Sequence, residues 1–315
     1  MKRAFVFPGQ GSQSVGMGKA LADAFPQAKA VFDEVDEALS QKLSSIIWDG
    51  PAEELTLTAN TQPALMAVSL AAIRVLEAEA GLDLKRDAAF VAGHSLGEYS
   101  ALAAVGTLSI ADTARLLRIR GNAMQSAVPV GQGAMAALLG LEFEAALEVA
   151  REAAQGEVCD TANDNGGAQV VVSGHKAAVE RAVVIAQEKG AKRAVMLPVS
   201  APFHCSLMAP AAEAMREALA KVTVNAPSVP VVANVLAGPV SDPVAIRDCL
   251  VRQVTGTVRW RESVAYMASQ GVESFYEVGA GKVLTGLVKR IAAGAAATAI
   301  GGPDDVATFK ASLQG

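Results

Sequence analysis

Histidine, cysteine and aromatic residues are few in this sequence, and each shortage removes a class of function. The three His (His94, His175, His204) are too scattered for the paired histidines of helix-borne metal motifs, so the expected chemistry uses no metal. The three Cys (Cys159, Cys205, Cys249) lack both the close spacing of a zinc site and the density of a disulfide framework. Such usage fits a reducing cytoplasm. With 9 Phe, 3 Tyr and 2 Trp there are few rings to stack on bases, and 27 Lys and Arg against 32 Asp and Glu leave a net charge of −5, not a basic footprint. Nucleic acid is therefore not expected as a partner. Charged residues are also sparse, at 19%, and charge-free stretches at residues 55–73, 121–141 and 194–212 reach bilayer length. Polar residues, Gly or Pro interrupt each one (Gln62 and Pro63; Pro129, Gly131 and Gly133; Pro198, Pro202 and His204), which a lipid core would not tolerate. They read as buried interior, and no membrane association is expected. At the N-terminus the apolar segment before Pro8 covers only residues 4–7, too short for a signal peptide, so the mature chain is expected to start here.

What is present is a chain of 315 residues, 51% hydrophobic and rich in small residues, with 28 Gly and long Ala-rich segments. That excludes disorder and a small stapled module, and the length suggests two structural units or one large domain. Residues 4–7 read as a buried strand running into the turn Pro8-Gly9-Gln10-Gly11-Ser12. A helix is predicted from Pro63, with Pro in its first turn and Leu65, Met66, Leu70, Ile73 and Leu76 at a 3.6 period. Residues 88–92 form a second apolar run, followed by Gly93-His94-Ser95-Leu96-Gly97 and a helix over 98–105: strand, tight turn, helix. From 134 to 199 the pattern changes to strand 134–139, helix 142–153, strands 158–161 and 170–173, helix 176–189 and extended 193–199. This β-α-β-β-α-β order is that of ferredoxin-like folds. Around it, apolar strands at 231–235, 274–278 and 298–300 alternate with helical runs, as in a parallel α/β sheet. The expected fold is α/β: an α/β-hydrolase-like larger subdomain (1–130 and 200–315) carrying a ferredoxin-like insert (131–199), with the site between them.

Gly93-His94-Ser95-Leu96-Gly97 matches G-x-S-x-G, in which the serine stands on a strained strand-to-helix turn at the positive end of a helix. Backbone N–H groups there can stabilise an oxyanion, so Ser95 is the candidate nucleophile. A serine needs a base. His204, on the Pro-constrained loop Ser200-Ala201-Pro202-Phe203-His204, is the candidate, since an imidazole titrating near neutrality can take the serine proton and return it to a leaving group. His94, at a strand end beside Ser95, is expected to point to the opposite face, and His175 to lie outside the insert. No acid stands out to complete a triad, Asp160 and Asp164 being unsupported candidates, so a carbonyl oxygen is expected to orient the imidazole. Cys205 reads as a small buried core residue. Two glycine-rich segments fail as phosphate loops: residues 9–14 lack the third glycine of a dinucleotide fingerprint, and Val283 stands where a P-loop needs Ser or Thr.

The residues Phe7-Pro8-Gly9-Gln10-Gly11-Ser12-Gln13, Gly93-His94-Ser95-Leu96-Gly97-Glu98-Tyr99, Arg120-Gly121 with Met124-Gln125, Gly133-Ala134-Met135-Ala136-Ala137 and Pro202-Phe203-His204 resemble bacterial malonyl-CoA:acyl carrier protein transacylases. The likeness continues through Val258-Arg259-Trp260 and residues 277–284. It implies that malonyl-CoA acylates Ser95 and that the phosphopantetheine thiol of acyl carrier protein then accepts the malonyl group, a ping-pong scheme feeding fatty acid biosynthesis. By the same resemblance His204 is the base, Gln10 and the Leu96 N–H form the oxyanion hole, and the Gln253 carbonyl orients the histidine. Arg120 binds the malonyl carboxylate, for which a guanidinium fork is suited, and Gln10, Met124 and Phe203 line the substrate site. No cofactor is implied, because the CoA thioester is substrate and the phosphopantetheine belongs to the partner. Phe203 resembles the malonyl-selective pattern, while residues 163–169 and Ala280 depart from the family's usual sequence, and the first departure leaves open whether Asn163 or Asn165 contributes to the site. Lys282, Lys289 and Arg290 are the basic cluster available for docking an acidic carrier.

Two other functions share part of this pattern. A serine esterase or thioesterase would use the same elbow and release the acyl group to water, but Arg120 and the missing triad acid argue against it. A non-catalytic protein binding acyl carrier protein would have no need of Ser95 and His204.

Overall fold

The computed structural model describes residues 2–314. Ten strands fall into two sheets: β1 (Lys2–Phe7), β2 (Phe90–Gly93), β3 (Gly133–Leu139), β4 (Cys159–Asp164), β5 (Gln169–His175), β6 (Arg193–Met196), β7 (Val231–Ala233), β8 (Gly238–Val240), β9 (Val272–Val278) and β10 (Ala296–Ile300). The larger sheet has the order β10-β9-β1-β2-β7-β8, all parallel except the β7–β8 hairpin. Its central strands β1, β2 and β7 carry short apolar runs because both of their faces are covered. Successive side chains point to opposite faces, so Phe5 and Phe7 enter one core cluster while Ala4 and Val6 enter another; Val91 and Ala92, and Val231 and Val232, divide the same way.

The smaller sheet has the order β4-β5-β3-β6 and is antiparallel throughout, with the helices Phe143–Ala154 and Lys176–Glu188 on one face. This is the ferredoxin-like arrangement expected from the β-α-β-β-α-β order. Ala136, Leu138, Val170 and Val172 pack against Val149 and Val179 of those helices. Met135 and Val171, one residue out of phase, face the larger core instead. The sheet therefore has no solvent face at these positions, and Met135 reaches the cavity described below.

Three elements differ from expectation. The helix predicted from Pro63 starts at Thr58 and runs to Ala80, with Pro63 inside it. Its first turn is held from the preceding turn: the Asn60 and Thr61 N–H groups donate to the Leu57 carbonyl, Asn60 Nδ2 to the Glu54 carbonyl and Thr61 Oγ1 to the Leu55 carbonyl. Bonds to the preceding turn thus outweigh the hydrogen bond that Pro63 cannot make. The extended segment expected to 199 leaves the sheet after Met196, because β6 pairs only with β3 and Pro198 cannot extend a ladder. Strand β8 has no apolar run to announce it and is an edge strand containing Pro239. No helix among the described residues is long and apolar enough to cross a membrane.

Candidate active site

Ser95 stands between the end of β2 and the helix Gly97–Ala104 with φ of 53°, a left-handed conformation that costs a non-glycine residue energy. The turn is possible only because position 97 has no side chain. A Cβ on Gly97 would lie 2.2 Å from the Phe7 carbonyl oxygen, so the loop following β1 and the start of the helix pass at backbone contact. Gly97→Ala is expected to destabilise the fold by roughly 3 kcal/mol or more, because rigid backbone must move. An unchanged midpoint of thermal unfolding would refute that.

The Ser95 hydroxyl lies 2.7 Å from His204 Nε2, and His204 Nδ1 lies 2.9 Å from the main-chain carbonyl of Gln253. A carbonyl only accepts, so Nδ1 carries the proton and the Nε2 lone pair faces Ser95. His204 is 3% exposed and, like Ser95, has a left-handed backbone, with φ of 56°. Burial first, and then the nearby Arg120 charge, push its pKa down to about 3, against the pull of the Gln253 carbonyl. The imidazole is thus neutral and able to accept a proton. Neither acid candidate touches it. Asp160 accepts from the Ser206 N–H and hydroxyl at 2.8 and 3.0 Å, and Asp164 pairs with Arg261 at 2.8 Å.

The other histidines are engaged elsewhere. His175 Nδ1 accepts from the Val158 N–H. His94 is among the cavity-lining residues, and its ring lies 5.7 Å from that of Trp260, in the core cluster of Ala92, with Nε2 2.9 Å from Asn165 Oδ1. Cys205 is fully buried, its thiol donates to the Pro202 carbonyl, and burial raises its pKa to about 11, so it remains a protonated thiol. The helix start after Gly281-Lys282 is occupied by the Glu277 carboxylate, which accepts from the Leu284 and Thr285 N–H groups where a P-loop would bind phosphate.

Arg120 lies on the helix Ile110–Ser126, yet it is 1% exposed and not part of a solvated face. Gly121 explains how. A Cβ there would lie 2.6 Å from Ala59 Cα, so the two helices meet at backbone contact and carry Arg120 inward. Its Nη1 donates to Gln62 Oε1 at 2.8 Å and its Nη2 to Gln253 Oε1 at 2.7 Å and to Ser95 Oγ at 3.1 Å. Nε has no partner. The guanidinium is thus a buried cation held by neutral acceptors, without a carboxylate in contact. Burial lowers its pKa, but arginine stays charged. An anionic ligand beside Ser95 would bring a carboxylate into direct contact with it.

These groups face a cavity of about 390 Å³ whose lining includes Gln10, Leu96, Met124 and Phe203. Met124 and Phe203 are buried, and Gln62 Nε2 lies 3.8 Å from Met124 Sδ. Gln10 is on the exposed loop after β1, its amide 3.4 Å from Thr58 Oγ1. No acceptor among the described residues takes the backbone N–H of Gln10 or Leu96, so both are free to bind an oxyanion. All the candidate site residues therefore meet in one place.

Sequence reasoning missed Gln62, Asn234 and Glu98 as members of the site. Asn234 follows β7 and accepts the Ser95 N–H at 2.8 Å while donating to the Gly93 carbonyl at 2.7 Å. A polar residue at the carboxyl end of a parallel strand was the available signal. Gln62 had none, being one amide in an apolar helix.

Residues 4–306 match the acyl transferase domain family. The chain is 51% identical over 304 residues to the malonyl CoA-acyl carrier protein transacylase of Escherichia coli K12, covering 96% of this chain and 97% of that one. It is 48% identical over 291 residues to the enzyme of the same name from Bacillus subtilis 168, covering 92% and 90%. Among solved structures, acyl-carrier-protein-S-malonyltransferase from Bartonella henselae superposes with a TM-score of 0.98 at 57% identity over all of both chains. A malonyl-transacylase in complex with its type II PKS acyl-carrier protein gives a TM-score of 0.95 at 43% identity, covering 99% of this chain and 100% of that one. With the elbow serine, its histidine and the buried arginine in one cavity, the chain belongs to the acyl transferase family, among the malonyl CoA-acyl carrier protein transacylases.

Proposed function

We propose that this protein moves a malonyl group from malonyl-CoA to the phosphopantetheine thiol of acyl carrier protein through a malonyl-Ser95 intermediate, in the cytoplasm, and so feeds fatty acid biosynthesis. The observation that carries this reading is the position of Arg120 Nη2, 3.1 Å from the Ser95 hydroxyl and without a carboxylate partner. An acyl group that ends in a carboxylate satisfies that cation while its thioester carbonyl meets the nucleophile.

In the first half-reaction His204 Nε2 takes the Ser95 proton as Oγ attacks the thioester carbonyl. Negative charge develops on the carbonyl oxygen, toward the Leu96 and Gln10 N–H groups. The tetrahedral intermediate collapses, the C–S bond breaks, and the imidazolium returns its proton to the departing CoA thiolate. Throughout, the Gln253 carbonyl holds Nδ1–H and favours the charged imidazole as it forms. The second half-reaction runs in reverse: His204 deprotonates the carrier thiol, which attacks the malonyl-serine ester, and the proton goes back to Ser95. Met124 and Phe203 wall the acyl site. Lys282, Lys289 and Arg290, exposed and outside any ion pair among the described residues, are offered to the acidic carrier.

Partition of the acyl group tests this reading. With malonyl-CoA and acyl carrier protein together, transfer to the carrier is expected to exceed release of free malonate by at least about a hundred-fold, the ratio a transferase needs to outrun water. Rapid malonate release with no loaded carrier would instead make the protein a thioesterase. Absence of both products would make it a binding protein.

A further inference from the structure

One buried carboxylate underlies the site without entering the mechanism. Glu98, in the first turn of the helix after the elbow, is 2% exposed, and its Oε2 accepts from Gln253 Nε2 at 2.7 Å and from the Asn234 N–H at 3.2 Å. Gln253 is fully buried, and its side-chain amide lies between this anion and the guanidinium of Arg120. Its Nε2 donates to Glu98 and to the Ser95 carbonyl at 3.0 Å, while its Oε1 receives Arg120 Nη2 at 2.7 Å.

We propose that Glu98 is a positioning residue for malonyl selection: by fixing the amide orientation of Gln253 it holds the Arg120 fork aimed at the acyl carboxylate. A carboxylate only accepts and a guanidinium only donates, so with Glu98 in place the amide has a single satisfied orientation. Turned over, it would direct Nε2–H at Arg120 Nη2–H, and the cation would lose its acceptor and shift. Because His204 is held by the main-chain carbonyl of Gln253, not by the amide, loss of Glu98 weakens the Arg120 contact more than the base. Burial pushes the Glu98 pKa up to about 7, against the bonds from Gln253 and Asn234 and the Arg120 charge, which favour the carboxylate. The proposal rests on Arg120 binding the malonyl carboxylate.

The test compares kcat/KM for malonyl-CoA and acetyl-CoA in the wild type, Glu98→Gln and Glu98→Met. Both bonds to Glu98 end on one oxygen, which a glutamine carbonyl reproduces, whereas methionine keeps the bulk and removes the acceptor. The malonyl-over-acetyl preference is expected to fall about ten-fold or more in Glu98→Met and to stay within about three-fold of wild type in Glu98→Gln. Equal losses for both substrates in Glu98→Met would overturn the proposal, as would an equally lost preference in Glu98→Gln. If Glu98→Met is not recovered folded, Glu98→Asp, whose carboxylate draws back by one methylene, is read by the same ratio and must also lose preference. Wild-type acylation by malonyl-CoA is measured alongside. Its failure would remove the transferase reading itself, while its success with an unchanged ratio in the variants would remove only the role of Glu98.

Discussion

Replacing His204 with alanine slows acylation of Ser95 by malonyl-CoA by roughly a thousand-fold, as rapid-quench mass measurement will show. The hydroxyl at 2.7 Å from Nε2 has no other base: Arg120 only donates, and neither Asp160 nor Asp164 reaches the site. What remains without the imidazole is substrate binding and the two oxyanion donors. A rate within ten-fold of wild type would contradict the assignment. The pH dependence follows from the same environment. Protonation of His204 disables the base, and burial together with the Arg120 charge moves that protonation down to about pH 3 in the free protein. The acid limb of kcat/KM expected of an ordinary histidine near pH 6.5 is therefore absent. In the malonyl complex the bound carboxylate offsets Arg120, so the corresponding limb of kcat lies at higher pH than that of kcat/KM.

Arg120→Ala is expected to lower kcat/KM for malonyl-CoA by about a hundred- to a thousand-fold, since losing one partner of a buried charge pair costs roughly 3 to 5 kcal/mol. For acetyl-CoA, which brings no carboxylate, the change stays within about ten-fold, the worth of a single hydrogen bond. The contrast arises because the acceptors of Arg120, Gln62, Gln253 and the Ser95 hydroxyl, are all neutral until an anionic acyl group arrives. A parallel fall for both substrates would mean that Arg120 serves the architecture of Ser95 and not the choice of acyl group. Steady-state kinetics with the two donors decides between them.

The parts of this site that were legible in the sequence are those whose geometry is local. Gly93 and Gly97 flank Ser95 because a backbone crossing demands it, and that demand leaves a five-residue pattern. The order of strands and helices in residues 133–196 is likewise legible, since each element carries its own period and the topology follows from their succession. The burial of Arg120 is not local. It depends on Gly121 meeting Ala59 some sixty residues earlier, and by its own sequence context Arg120 resembles any helix cation. Helix Thr58–Ala80 starts before Pro63 because its first turn is completed by side-chain bonds to the segment just before it, which the apolar period does not register. Glu98, Gln253 and Asn234 form one hydrogen-bonded group from three distant segments, and a resemblance could assign only Gln253 to the site.

Mass measurement of the intact protein after exposure to malonyl-CoA, with no acyl carrier protein present, tests the central claim directly. One malonyl group is expected per wild-type chain, mapped to Ser95, discharged when carrier is added, and absent in Ser95→Ala. No adduct on the wild type, or an adduct on Cys205 or any residue other than Ser95, would contradict the malonyl-serine intermediate and the assignments built on it.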